Sequence, residues 1–253
     1  MSSDTARYDH RTHAGNAGDV WKHLLLAEVA SHLLSRRKTL LYAESHVGYP
    51  EYSLEGAGEW RGGIGRCWSR LTALQNFCFF QIIGNINPYG LVRYPGSASL
   101  VLEIARKYRA DIYAEIWDIE PQVAAAWSGD FRVDFHLGDG FSGAQKLMDQ
   151  SPPGMLLIDP PYIDEKDAKQ ACDLLHTAIR ARWIVLWWQM MGSKTLPEAD
   201  FSVYSLNFSD IGLYCGHWQG ATMAVVGADG ILAKRLEESR QTFLRIMHSE
   251  QRF

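Results

Sequence analysis

Four consecutive residues, Asp159-Pro160-Pro161-Tyr162, follow the apolar run Met155-Leu156-Leu157-Ile158. A carboxylate and a backbone carbonyl held by proline rings can accept the two N–H groups of an amine and keep it in line with an electrophile. An exocyclic amine on a base needs that help, because its lone pair is delocalised into the ring. Proline supplies the rigid turn, and tyrosine offers a flat face on which an unstacked base can lie. Asp159, Pro160 and Tyr162 are therefore the catalytic candidates.

The elements that must position them can be read around that run. Residues 155–158 have the pattern of a parallel strand covered on both faces, which puts Asp159 at its carboxyl end. In open α/β sheets that edge binds ligands. Ahead of it, residues 8–19 are polar and glycine-bearing, and residues 20–34 carry apolar side chains at helical spacing, with Asp19 as the expected N-cap. Lys22 and His23 fall in the first turn, beside the loop. Residues 39–44 read as a strand running into Ser45-His46-Val47-Gly48-Tyr49-Pro50, where a doubly wound fold grips its cofactor, although Gly48 is the only glycine there.

Residues 111–117 make the next strand, and Glu115 at its acidic end suits a ribose diol. Residues 133–137 make another, followed by Gly138-Asp139-Gly140, a turn whose carboxylate can accept an adenine amino group. Ser97 is the expected cap of a helix over 98–108, and further helices are expected over 123–127, 168–180 and 232–247. Strands are expected over 183–188, 201–208, 212–218 and 221–226. The alternation predicts an α/β fold with a mainly parallel sheet and an antiparallel end. Residues 54–93 break the rhythm with glycines around Trp60 and an apolar helix over 67–83. They read as a small helical insertion after the first strand, either a plain packing subdomain or a substrate-facing wing. The division is thus 1–53 with 94–253 as the main domain and 54–93 as the insertion.

A chain of 253 residues, 47% hydrophobic and 21% charged, can bury the core of one globular domain. No apolar run nears the roughly 18 to 20 residues that span a bilayer, and the first residues lack the apolar core of a secretory signal. These features point to a cytoplasmic protein without membrane attachment. Cys67, Cys78, Cys172 and Cys215 form no CxxC pair, which argues against a zinc ribbon and a disulfide framework. A net charge of -4 does not by itself attract phosphates, but Arg7, Arg11, Lys22, Arg36, Arg37 and Lys38 cluster near the N-terminus.

Asp-Pro-Pro-Tyr is also the signature of methyltransferases that act on exocyclic amines with S-adenosylmethionine as methyl donor. The run Tyr8-x-His10-x-x-His13-Ala14-Gly15-Asn16-x-x-Asp19-Val20-x-Lys22-His23 resembles the opening of the RlmJ family, bacterial adenine-N6 methyltransferases of 23S ribosomal RNA. Ser45-His46-x-Gly48, Tyr94-Pro95-Gly96-Ser97, Glu115, Asp139-Gly140-Phe141 and Asp159 to Tyr162 match in the family's order, over nearly the whole chain. The resemblance implies a Rossmann-like class I methyltransferase fold with a seven-stranded sheet. By position it assigns cofactor binding to His23, His46, Gly48, Ser97, Glu115, Asp139 and Gly140, and substrate binding to Tyr8, His10 and Lys22. The chain departs from the family at Pro50, where a second glycine is usual, and at Trp188-Gln189, where Tyr-Pro is usual. The implied reaction is direct methyl transfer to an adenine in ribosomal RNA, free or in an assembling large subunit, by a monomer, without a metal. The alternatives are DNA adenine methylation and a non-catalytic nucleic-acid-binding protein that serves the use of external DNA.

Overall fold

Seven strands form one sheet in the order β5-β4-β1-β6-β7-β9-β8. They are β1 (Thr39–Glu44), β4 (Asp111–Asp118), β5 (Val133–Leu137), β6 (Met155–Ile158), β7 (Ile184–Met190), β8 (Ser202–Asn207) and β9 (Gly220–Val226). The computed structural model that gives this arrangement describes residues 12–162, 165–191 and 201–248. Strands β5 to β7 of that order run parallel, and β9 is antiparallel to both its neighbours. The mainly parallel sheet with an antiparallel end is as expected. Strand order reverses between β1 and β6, so the crevice for a ligand opens at the carboxyl ends of those two strands. The register Glu44↔Leu157 brings Ser45, His46 and Asp159 to that edge together.

The sheet is covered on both faces, and β6 shows why its run is unbroken. Met155 and Leu157 join the core under helices α1 (Ala17–Leu34), α5 (Ser97–Tyr108) and α9 (Gly230–His248). Leu156 and Ile158 point the other way, into a second core under α7 (Gly140–Gln150) and α8 (Glu165–Arg180). Helix α1 is buried on every side rather than along one stripe. It packs against α4 (Cys78–Ile86), α5, α9 and the sheet.

Several local expectations are corrected. Asn16 caps α1, its side chain accepting from the Asp19 amide, while Asp19 lies in the first turn and accepts from the Gly15 amide at 2.9 Å. The two residues thus form a reciprocal cap. Gly96 caps α5, and Ser97 is the first residue inside the helix. A Cβ at Gly96 would stand 2.2 Å from the Tyr49 carbonyl, so that approach admits only glycine. Residues 67–83 are not one helix but parts of α2 (Ile64–Trp68), α3 (Leu71–Leu74) and α4. The Ser69 hydroxyl closes α2 on the Arg66 carbonyl, and Phe77 turns extended so that its ring meets Phe80 and Phe243. Tertiary packing of aromatics overrides helix propensity there.

A two-stranded antiparallel ribbon, β2 (Glu51–Ser53) with β3 (Arg93–Pro95), closes the base of the segment expected as an insertion. The buried side chains of that segment belong to the core under α1 and α9. Helix α7 is not among the expected elements, because its start at Gly138-Asp139-Gly140 reads as a turn and a glycine at 143 disfavours a helix interior. Gly143 serves instead to bring α7 against Trp117, where a Cβ would stand 2.1 Å from the indole nitrogen. Residues 212–218 are not a strand: Gly212 and Gly216 take left-handed backbone and leave one isolated bridge, Cys215 to Trp218.

Candidate active site

At the end of β6, Asp159 is 15% exposed at its side chain, and Lys22 Nζ donates to its Oδ2 at 2.6 Å. The same ammonium lies 2.8 Å from Asp19 Oδ1 and 5.6 Å from the Trp188 ring centroid. Burial works against the charge on Lys22, but Asp159 and Asp19 outweigh it and hold the group well above lysine's ordinary range. The residue expected to face substrate is therefore a buried, permanently charged neighbour of Asp159. The other oxygen of Asp159 and the carbonyl of Pro160 accept no hydrogen bond from the described residues.

Tyr162 stands at φ +52, in the left-handed region. Its hydroxyl donates to the Trp188 carbonyl at 2.5 Å and accepts from Trp187 Nε1 at 2.7 Å. The phenol is thereby spent on β7, and the ring is fixed. The Trp188-Gln189 departure thus lies against the site: Trp188 holds Tyr162 by its backbone and lines Lys22 with its ring.

The β1 end carries a buried acid that sequence reasoning passed over. Glu44 is wholly enclosed and accepts from the Tyr42 hydroxyl at 2.6 Å and from the Ser97 hydroxyl. Burial pushes its carboxyl up to about 8, although both hydroxyls and the Lys22 charge pull the other way. Its one signal in the sequence is its place as the last residue of a strand. Beyond it, His46 Nδ1 lies 2.9 Å from the Ser45 hydroxyl, with its ring edge-on to Phe141. Burial lowers its pKa against the pull of Asp159, Asp118, Asp167 and Asp139, so it is neutral at neutral pH. His23 has other surroundings, its Nδ1 2.8 Å from the Tyr94 hydroxyl and its ring between Tyr94 and Phe79.

Glu115 does not end its strand, and the expectation that placed it there is corrected. β4 continues to Asp118, and Glu115 lies opposite Ala43, with its carboxylate 2.6 Å from His136 Nε2. Asp118 is the acid at the ligand edge: Gly48 N donates to it at 3.1 Å and Glu120 N at 2.8 Å. The signal for it was Pro121 at the first position of α6 (Pro121–Trp127), which fixes where the strand must already have ended. Gly48 has φ +65, and a Cβ there would meet the Tyr52 hydroxyl at 2.6 Å. Pro50 stands where this loop passes into β2, its carbonyl accepting from Gly96 N at 2.9 Å. Asp139 caps α7, accepting from Phe141 N at 3.1 Å and the Ser142 hydroxyl at 2.5 Å. Gly140 lets that helix abut the Ser45 carbonyl, 1.7 Å from where a Cβ would lie. Tyr8 and His10 lie outside the described residues.

These residues fit a nucleoside-containing sulfonium cofactor. Carboxylates at the β4 end and the α7 cap suit hydroxyls and an amino group, and a neutral imidazole does not repel a positive sulfur.

The family model described as Ribosomal RNA large subunit methyltransferase D, RlmJ, matches residues 37–198. A Ribosomal RNA large subunit methyltransferase J of Haemophilus influenzae is 31% identical over 185 residues, covering 68% of this chain and 63% of that protein. The Escherichia coli protein of the same name is 30% identical over 167 residues, covering 61% and 59%. The match thus spans about three fifths of the length of these relatives. A crystal structure of a Legionella pneumophila protein superposes with a TM-score of 0.75 at 20% identity, over 93% of this chain and 94% of that one. That likeness establishes a shared fold.

Proposed function

The chain belongs to the RlmJ family of ribosomal RNA large subunit methyltransferases, and from that premise we propose that it methylates the N6 amine of an adenine in 23S ribosomal RNA. The methyl donor is S-adenosylmethionine, which when bound supplies an electrophilic methyl group. The observation that carries this reading is the pair of acceptors without a partner among the described residues, the second oxygen of Asp159 and the Pro160 carbonyl. Two acceptors match the two N–H groups of an exocyclic amine and orient its nitrogen.

Lys22 stays protonated, so it is not the base. It fixes one oxygen of Asp159, leaving the other to hold the amine and to take its proton. The ring of Tyr162, held by β7, supports the flipped base. Asp118, Asp139, Gly48, Gly140 and neutral His46 line the cofactor side of the crevice. Ser97 acts there through Glu44, as the residue that holds the buried acid. The chain works as a monomer in the cytoplasm, on RNA that is free or in an assembling subunit.

The test is incubation of the protein with S-adenosylmethionine and either 23S ribosomal RNA or DNA, followed by mass spectrometry of nucleosides. N6-methyladenosine in the RNA is expected. Methylation of DNA alone would replace the substrate class. Absence of both products, with no cofactor binding by calorimetry, would remove the enzyme reading.

A further inference from the structure

One group of exposed aromatic side chains is built against the N-terminal end of α1. The connection between β8 and β9 presents Tyr214 at 50% and Trp218 at 43% exposure, and the His217 ring braces Trp218 at 4.6 Å. The segment before α2 and α2 itself add two exposed arginines. The Arg66 guanidinium lies 5.4 Å from the Tyr214 ring centroid, and that of Arg61 lies 5.1 Å from the Trp60 ring centroid. Neither arginine pairs with a carboxylate among the described residues; the other side-chain bond of Arg61 goes to the Gly56 carbonyl at 3.1 Å.

This surface is locked in place. Tyr214 N donates to the Gly62 carbonyl at 3.0 Å, and a Cβ at Gly62 would stand 2.4 Å from the Tyr214 carbonyl. A Cβ at Gly63 would stand 2.3 Å from the backbone of Gly15 and Asn16. Glu59 ties the three segments, receiving Asn16 Nδ2 at 3.0 Å, His13 Nδ1 at 3.0 Å and Cys215 Sγ at 3.6 Å. The Glu59 carboxylate is thus turned onto internal donors. Asn16 caps the helix that carries Lys22, six residues or about 9 Å farther along its axis, so the platform is anchored to the same helix that reaches Asp159.

We propose that Tyr214, Trp218, Arg61 and Arg66 form a docking platform for single-stranded RNA a few nucleotides from the target base. Flat rings held rigidly take bases by stacking, and arginines without carboxylate partners take phosphates. In a chain of net charge -4 such cations matter by their placement. The inference rests on the methyltransferase reading for the kind of nucleic acid, and its test is separable from that reading.

The measurement is fluorescence anisotropy of a labelled single-stranded RNA oligonucleotide with the full chain, beside calorimetry with S-adenosylmethionine and a melting curve. Tyr214→Ala with Trp218→Ala should weaken RNA binding about tenfold or more. Cofactor affinity and melting temperature should hold, and the Phe/Phe double variant should restore most of the binding. Arg61→Gln with Arg66→Gln should lower the slope of log affinity against log salt by roughly 0.7 per lost phosphate contact. Unchanged RNA affinity in both double variants overturns the platform, and so does a loss shared equally with cofactor binding or melting temperature. Lost binding to a ribosomal particle with RNA affinity intact assigns the face to a protein and overturns it too. If the wild-type chain binds RNA through these residues but methylates nothing, the platform stands and the enzyme reading falls. If it methylates RNA and the variants match it, the reverse holds.

Discussion

Two carboxylates stand at adjacent strand ends of one sheet edge, and their surroundings are opposite. Glu44, at the end of β1, is enclosed with neutral hydroxyl donors and is pushed up to about 8. Asp159, at the end of β6, is partly open and has a charged ammonium at 2.6 Å. The contrast teaches that dipoles from two hydroxyls, even with the Lys22 charge acting without contact, do not offset the desolvation of a buried charge, whereas an ammonium in direct contact forms an ion pair. One acid is built to stay with the core, and the other is built to present an oxygen outward.

Breaking the open member should have the largest effect. Asp159→Asn keeps shape and one acceptor but removes the charge, so methyl transfer should fall roughly 10²- to 10⁴-fold in a single-turnover assay. Cofactor affinity by calorimetry should change far less. Equal losses in both would make Asp159 a cofactor ligand first.

Removing the cation that separates the two environments comes next. Lys22→Met leaves Asp19 and Asp159 facing each other, at a cost of about 3 to 5 kcal/mol in urea denaturation near pH 7.5. In the unaltered protein the pKa of Lys22 is raised, so its stabilisation is fully present below lysine's ordinary value of 10.5 and is lost only as pH climbs through the higher folded value. A variant as stable as the parent near pH 7.5 would show the pair to be dispensable.

The closed member is probed by pH. Glu44 has an ordinary value of 4.5 and a folded value of about 8, so between them the folded state holds a proton that the unfolded state has released. Stability should therefore fall as pH rises from about 4.5 to about 8, by on the order of a few kcal/mol, and level off above. Glu44→Gln should flatten that slope; a slope that survives the substitution belongs to other groups.

The smallest effects separate Asp118 from Glu115. Asp118→Ala should weaken S-adenosylmethionine binding about 10- to 100-fold, the scale of lost hydrogen bonds to a charged group. Glu115→Ala, which loses only a partly exposed pair with His136, should leave binding within about twofold. The opposite order would restore the acid first expected from the sequence.

That exchange shows what the sequence made legible. Strands announced by apolar runs, such as β1 and β6, and the edge they share came directly from pattern, and so did the placement of Asp159. Glu115 misled because the end of β4 is set by register with β1 and by Pro121, not by the first acid after an apolar stretch. Helix α7 hid behind glycines whose function is close packing on Ser45 and Trp117, contacts distant in sequence. The partnership of Lys22 with Asp159 spans 137 positions, and no local pattern encodes it. Glu44 looked like an ordinary strand residue because its burial depends on Ser97 and Tyr42 closing over it.

The left-handed backbone at Tyr162 has a consequence in time rather than in geometry. A non-glycine residue there costs roughly 1 kcal/mol or more, and the two bonds to Trp187 and Trp188 hold it in that state. Its rotational entropy is therefore lost once, when the chain folds, and not again at each encounter. On the proposed function, a base arriving in the crevice would meet a ring with no search left to make, and the gain would be expressed as a longer residence of the base, through a slower rate of departure.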